Sequence, residues 1–118
     1  YVLKANRGEI INDRLVLGGE LAKELYLLLN EVETSSNNPR LRTRLKELFG
    51  RGKFMALLAD GLQDELNNNP NMKERKRKRL ERTIRILRRG AQWLGTDGVA
   101  ELSQDEQTQL QYYKNLLL

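Results

Sequence analysis

The sequence predicts an all-α protein, a single compact bundle of about five helices. Three observations carry this. Leu recurs at spacings of three and four, as one face of a helix requires. Leu, Glu, Lys, Arg and Gln, all good helix formers, dominate the composition. Val, Ile, Thr and aromatic residues are sparse, so strands have little to work with. The 118 residues suffice for one domain and are too few for two.

The first helix is expected over about 9–33. Leu17, Leu21, Leu25, Leu28 and Val32 form its inward stripe, widened by Ile11, Leu15, Ala22 and Leu29. Gly18 and Gly19 lie inside that span, which predicts a kink or a close backbone approach. Residues 34–39 read as a linker, with Pro39 at the first position of a second helix over about 39–49. Its inward residues are Leu41, Leu45 and Leu48, and Gly50 and Gly52 end it. A third helix runs over about 53–66, with Phe54, Leu57, Leu58, Leu62 and Leu66 on one side. Asn67-Asn68-Asn69-Pro70-Asn71 then stops it, because Pro70 disfavours helical geometry at the residue before it.

The fourth helix is expected over about 71–94, with Leu80, Ile84, Leu87, Ala91 and Leu94 as its apolar stripe. Gly95 to Gly98 is a turn. The fifth helix opens at Ser103 and Glu106, whose spacing matches a capping box, and carries Leu110, Tyr113 and Leu117 on one face.

Composition excludes several classes of function. With no Cys there is no disulfide and no thiol nucleophile, which fits a reducing cytoplasm. With no His, the commonest general base and metal ligand is missing. No apolar run approaches the length of a membrane span, no secretory signal is visible, and no cofactor motif is present. Asp97, Glu101, Asp105 and Glu106 lack the spacing of a calcium loop, so capping and solubility account for them. An enzyme is therefore not expected. Because the chain starts at Tyr1 without Met, it is expected to be trimmed or excised from a longer reading frame.

The formal charge of +5 is distributed unevenly. Residues 73–89 hold ten Lys and Arg and two acids, a net of +8, and residues 40–53 hold six and one, a net of +5, so the remainder carries −8. With Leu80 facing inward, Arg75, Lys78, Arg82, Arg85 and Arg89 fall on the opposite side of the fourth helix, in a band about 80° wide and about 21 Å long. Like charges at that spacing repel, and few acids relieve them, so an external polyanion is expected to neutralise the row. Five phosphate contacts imply a log–log salt slope of roughly −4.

The candidate nucleic-acid contacts are thus Arg75, Lys76, Arg77, Lys78, Arg79, Arg82, Arg85 and Arg89, with a weaker patch formed by Arg40, Arg42, Arg44, Arg51 and Lys53, of which Arg51 and Lys53 are the candidates. Lys73, Lys76 and Arg77 share the side of Leu80, so that end of the helix should project or meet a partner. Gly50-Arg51-Gly52-Lys53 can be drawn as a phosphate-binding turn, although a helix stop accounts for it as well, and it is not a Walker A loop because Phe54 stands where Ser or Thr is needed. Trp93, Tyr112 and Tyr113 are expected in packing rather than stacked on bases. Asn and Gln lie away from the basic rungs, and phosphate contacts specify no base, so recognition should be blind to sequence.

In size, helix number, the Lys73–Arg82 segment, the lack of catalytic residues and the missing start Met, the chain resembles the small subunit of Class 1 CRISPR effector (Cascade) complexes, most nearly the type I-D form. The resemblance implies a prokaryotic, cytoplasmic ribonucleoprotein subunit in antiviral defence, present in more than one copy. It would contact other effector subunits and the target or displaced DNA strand, stabilising the R-loop while guide pairing selects the sequence. The acidic face of the first helix would then meet a basic neighbour. Two other readings stay open. One is a helical DNA-binding regulator, with a helix-turn-helix around Gly50–Gly52. The other is a scaffold for an acidic protein.

Overall fold

The computed structural model describes residues 8–11 and 14–118. An antiparallel pair, β1 (Gly8–Ile11) and β2 (Arg14–Leu17), precedes five helices: α1 (Gly18–Thr34), α2 (Pro39–Phe49), α3 (Gly52–Asn68), α4 (Glu74–Leu94) and α5 (Gln104–Leu117). The all-α bundle is as expected, with one correction at its start. Residues 8–11 and 14–17 pair as strands, Gly8 opposite Leu17 and Ile11 opposite Arg14, where the first helix was expected to begin near residue 9. The physical reason is local. Strand formers are sparse overall but Ile10, Ile11 and Val16 are concentrated here, separated by Asn12-Asp13, residue types that turns favour. Gly18 and Gly19 therefore open α1 instead of kinking it. The inward positions assigned to Ile11, Leu15 and Leu17 fall outside the described side chains.

The helix ends follow from their capping residues. Asn38 accepts a hydrogen bond from the Leu41 amide at 2.9 Å, and Pro39 takes the first turn of α2, where its missing amide is no loss. Gly50, at φ 85°, ends α2 by donating its amide to the Lys46 carbonyl. At α5 the capping box is complete. The Glu106 amide donates to Ser103 Oγ at 3.1 Å, and the Ser103 amide donates to Glu106 Oε1 at 2.9 Å.

The expected stripes form one core. Leu21, Leu25, Leu28 and Val32 of α1, Leu41 and Leu45 of α2, Leu58 and Leu62 of α3, and Leu80, Ile84 and Leu87 of α4 are all buried. α3 packs along α4 and α5, and α1 lies across α2, α4 and α5. Phe49, Phe54 and Tyr113 join α2, α3 and α5, with Tyr113 edge-on to both rings at 5.8 and 5.6 Å. The Tyr113 hydroxyl donates to the Leu48 carbonyl at 2.7 Å, so this ring belongs to the core as expected. Five buried apolar residues, Phe49, Met55, Ala59, Ile86 and Leu102, lay outside the expected stripes.

Candidate nucleic-acid interface

α4 buries Leu80, Thr83, Ile84, Ile86, Leu87, Gly90 and Ala91. At 100° per residue these span an arc of about 160°, wider than the Leu80 stripe alone implies. The extra width comes from Thr83, Ile86 and Gly90, which face neighbouring helices. It determines which of the basic residues remain available to an outside partner.

Arg79 falls within that arc. Its guanidinium is half-buried, donating to Tyr26 Oη at 2.8 Å and to the Leu118 carbonyl at 2.8 Å, while Tyr26 Oη donates to the Leu117 carbonyl. Arg79 thus joins α4 to α1 and to the end of α5. Its expected place in the contact surface is corrected for that reason. Arg82 lies about 40° beyond the edge of the arc and Arg85 on the side opposite its centre, and both side chains reach the last turn of α1. Arg82 holds Glu33 Oε1 and also donates to Asn30 Oδ1, and Arg85 donates to Glu33 Oε2 at 3.0 Å. Chiefly through its bond to Arg82, and then through Arg85, the Glu33 carboxyl is held below its ordinary range. Arg89 donates to the Ser35 carbonyl at 3.1 Å and lies over Trp93, 5.1 Å from the ring centroid. Arg82 and Arg89 therefore serve polar groups at the C-terminal end of α1, a negative helix end with no basic residue in its own last turn. These rungs were expected to be unmatched, and they have internal partners.

Two acids of α1 are engaged in the same way, while Glu20 and Glu24 are exposed. Glu33 is taken by α4, and Glu31 pairs with Arg44 of α2, so both lie between elements of the bundle.

The first turns of α4 are different. Lys73, Arg75 and Lys76 are exposed and have no partner among the described residues. Lys78 approaches only Glu74 of its own helix, at 3.9 Å, with both side chains about three-quarters exposed. Arg77 folds back and donates to the Asn69 and Pro70 carbonyls at 3.1 Å, holding the α3–α4 turn. The expected projection of this end is therefore met by Lys73 and Lys76, whereas Arg77 stays with its own turn. Arg88 pairs with Asp60 at 3.2 Å.

Arg51 is also corrected. Its guanidinium donates to both carboxyl oxygens of Glu106, at 2.9 and 2.8 Å, and to the Ala100 and Glu101 carbonyls. It fastens the segment before α5 to the α2–α3 turn, and Lys53 lies 3.5 Å from Glu101. Two of the amides of the turn are already taken. The Gly50 amide goes to Lys46, the Arg51 amide to Phe49, and Gly52 is buried against the carbonyls of Ala91 and Gly95.

Glu106 is held at about 2, first by the Arg51 guanidinium and then by the Ser103 amide. Its folded value lies below its ordinary 4.5, so its stabilisation is present above about pH 4.5 and lost as pH falls from there towards about 2. Arg51→Gln is expected to lower stability at neutral pH and flatten the acid limb of the stability curve across that window. Urea unfolding at a series of pH values checks this, and an unchanged acid limb contradicts the pairing.

The helix-turn-helix reading meets an electrostatic obstacle. α2 and α3 join at a tight turn, but α3 carries three acids, Asp60, Asp64 and Glu65, of which Asp60 pairs with Arg88 and Glu65 with Lys114, and Lys53 is its one cation. Such a helix offers a phosphate backbone little positive charge.

Among the described residues, no group of carboxylates could hold a metal ion, and no helix is long and apolar enough to cross a membrane. Fold and surface together define a helical bundle with one strongly basic helix. Comparison with protein-family models, with curated proteins and with solved structures finds no match.

Proposed function

We propose that the protein binds nucleic acid without regard to sequence and without catalysis, through the exposed cations of α4. The observation that supports this is the charge excess that remains after internal pairing. Ten cations between Lys73 and Arg89 face four carboxylates, Glu74 and Glu81 of the same segment together with Glu33 and Asp60, an excess of six. That excess is concentrated at Lys73, Arg75, Lys76 and Lys78, the end of the helix that projects from the core. A phosphate backbone is the partner whose regular negative charge rewards such an arrangement. The resemblance to small subunits of Class 1 CRISPR effectors would make that strand the target or displaced DNA of an R-loop, with other effector subunits as neighbours and more than one copy per assembly.

Fluorescence anisotropy with labelled 30-nucleotide strands, in salt from 50 to 300 mM, tests the reading. The expected result is equal affinity for unrelated sequences and a log–log salt slope of about −3. A slope near zero overturns it. A preference of roughly a thousandfold for one duplex site would instead favour a regulator.

A further inference from the structure

We infer that Asn30, Arg82 and Arg85 form a subsite for one phosphodiester of a bound strand, and that Glu33 fills it as an internal surrogate until the strand arrives. The inference rests on the nucleic-acid reading above and adds to it how one part of the surface is controlled.

The geometry is that of a gripped oxyanion. Arg82 takes Oε1 of Glu33 and Arg85 takes Oε2, so each carboxylate oxygen is held by a different guanidinium. Guanidinium forks bind carboxylate and phosphate alike, because both anions present two oxygens to two N–H groups. Two cations share one anion here, which leaves the cluster with an unbalanced positive charge.

The cluster is also accessible. The side chains of Arg85 and Arg82 are 65% and 44% exposed, whereas Glu33 beneath them is 29% exposed. An incoming anion therefore meets the guanidinium groups before it meets the carboxylate. Exposed ion pairs of this kind are weak and salt-screened, so little holds Glu33 in place. Arg82 and Arg85 follow Lys78 by four and seven residues, about 6 and 10 Å further along the axis. A strand that engages Lys73, Arg75, Lys76 and Lys78 is carried on to this subsite. Its phosphate takes the two guanidinium groups, and the Glu33 carboxylate swings into water.

Two variants of the 118-residue chain test this by anisotropy with a labelled oligo-dT strand, circular dichroism confirming the fold. Glu33→Gln removes the internal anion. It is expected to tighten binding about three- to tenfold at 0.1 M salt, because the strand no longer has an internal ion pair to displace. Asn30→Asp places a second carboxylate on the Arg82 guanidinium, which Asn30 Oδ1 already meets, and is expected to weaken binding by a similar factor. Equal or weaker binding by a folded Glu33→Gln overturns the inference. If Glu33→Gln does not fold, an unchanged affinity in Asn30→Asp overturns it. A wild-type chain that binds no strand sinks the function itself, whereas one that binds while both variants match it sinks only the surrogate role of Glu33.

Discussion

Replacing Lys73, Arg75, Lys76 and Lys78 together by Gln is expected to weaken strand binding by roughly six-hundredfold at 0.1 M salt and to reduce the salt slope by about 3. Each lost phosphate contact removes about 0.7 from the slope on a single strand, and at 0.1 M salt each such loss is worth about 0.7 of a decade in affinity. Stability should stay within about 0.5 kcal/mol of wild type, since the substitutions lie on an exposed surface away from the core, and Lys73, the N-cap of α4, makes no side-chain capping bond. The four cations are exposed, and the one ion pair among them is the loose contact between Lys78 and Glu74. Removing like charges from one helix end also relieves their mutual repulsion. Denaturant unfolding and anisotropy on the same preparation separate the two effects. Binding that survives the fourfold change places the strand elsewhere and overturns the proposed function.

Gly52→Ala is expected to destabilise the fold by about 3 kcal/mol, as overpacking against an unyielding neighbour does. A Cβ at this position would lie 2.5 Å from the Gly95 carbonyl oxygen and 2.7 Å from that of Ala91. Both are backbone atoms at the end of α4, so relief requires α3 and α4 to move apart. Helix propensity favours Ala over Gly by up to about 1 kcal/mol, too little to reverse the sign. For a domain of this size the melting temperature should fall by about 10 °C. Two other glycines supply the comparison. At Gly90 the added atom meets the Met55 Cε at 2.6 Å, the end of a flexible side chain, and at Gly19 it meets nothing within 4 Å. The expected order of damage is Gly52, then Gly90, then Gly19. A Gly52→Ala protein as stable as wild type contradicts this close approach of α3 to the end of α4.

The two predictions concern opposite ends of α4, and the sequence reveals them unequally. The cations of the first turns are legible from charge density alone, because Met72 is the one apolar residue among positions 71–79. The contact at Gly52 is not legible, because its partners, Ala91 and Gly95, lie some forty residues away. Charge spacing likewise placed Arg82, Arg85 and Arg89 on one outward face with Arg75 and Lys78, and charge density alone made Arg79 a candidate. A helical wheel contains only the helix itself. Glu33, Asn30, Tyr26 and the end of α5 enter from distant parts of the chain. Ile86 and Thr83 were unassigned for the same reason: α4 packs against more than one neighbour, and a single stripe describes only one. The strand pair at 8–17 escaped because a Leu and Ile pattern over ten residues fits either period, and the concentration of β-branched residues was diluted in the whole-chain composition.

By itself, the sequence determined the five helices, the capping at Asn38 and Ser103, the leucine core and the concentration of positive charge in α4, since each depends on residues within a few positions of one another. Only the tertiary structure decided which of those charges stay free. An arginine on a helix surface pairs with whatever carboxylate or carbonyl the packing brings within about 3 Å. Arg51, Arg79, Arg82 and Arg85 find theirs across the fold, and Lys73, Arg75 and Lys76 find none among the described residues.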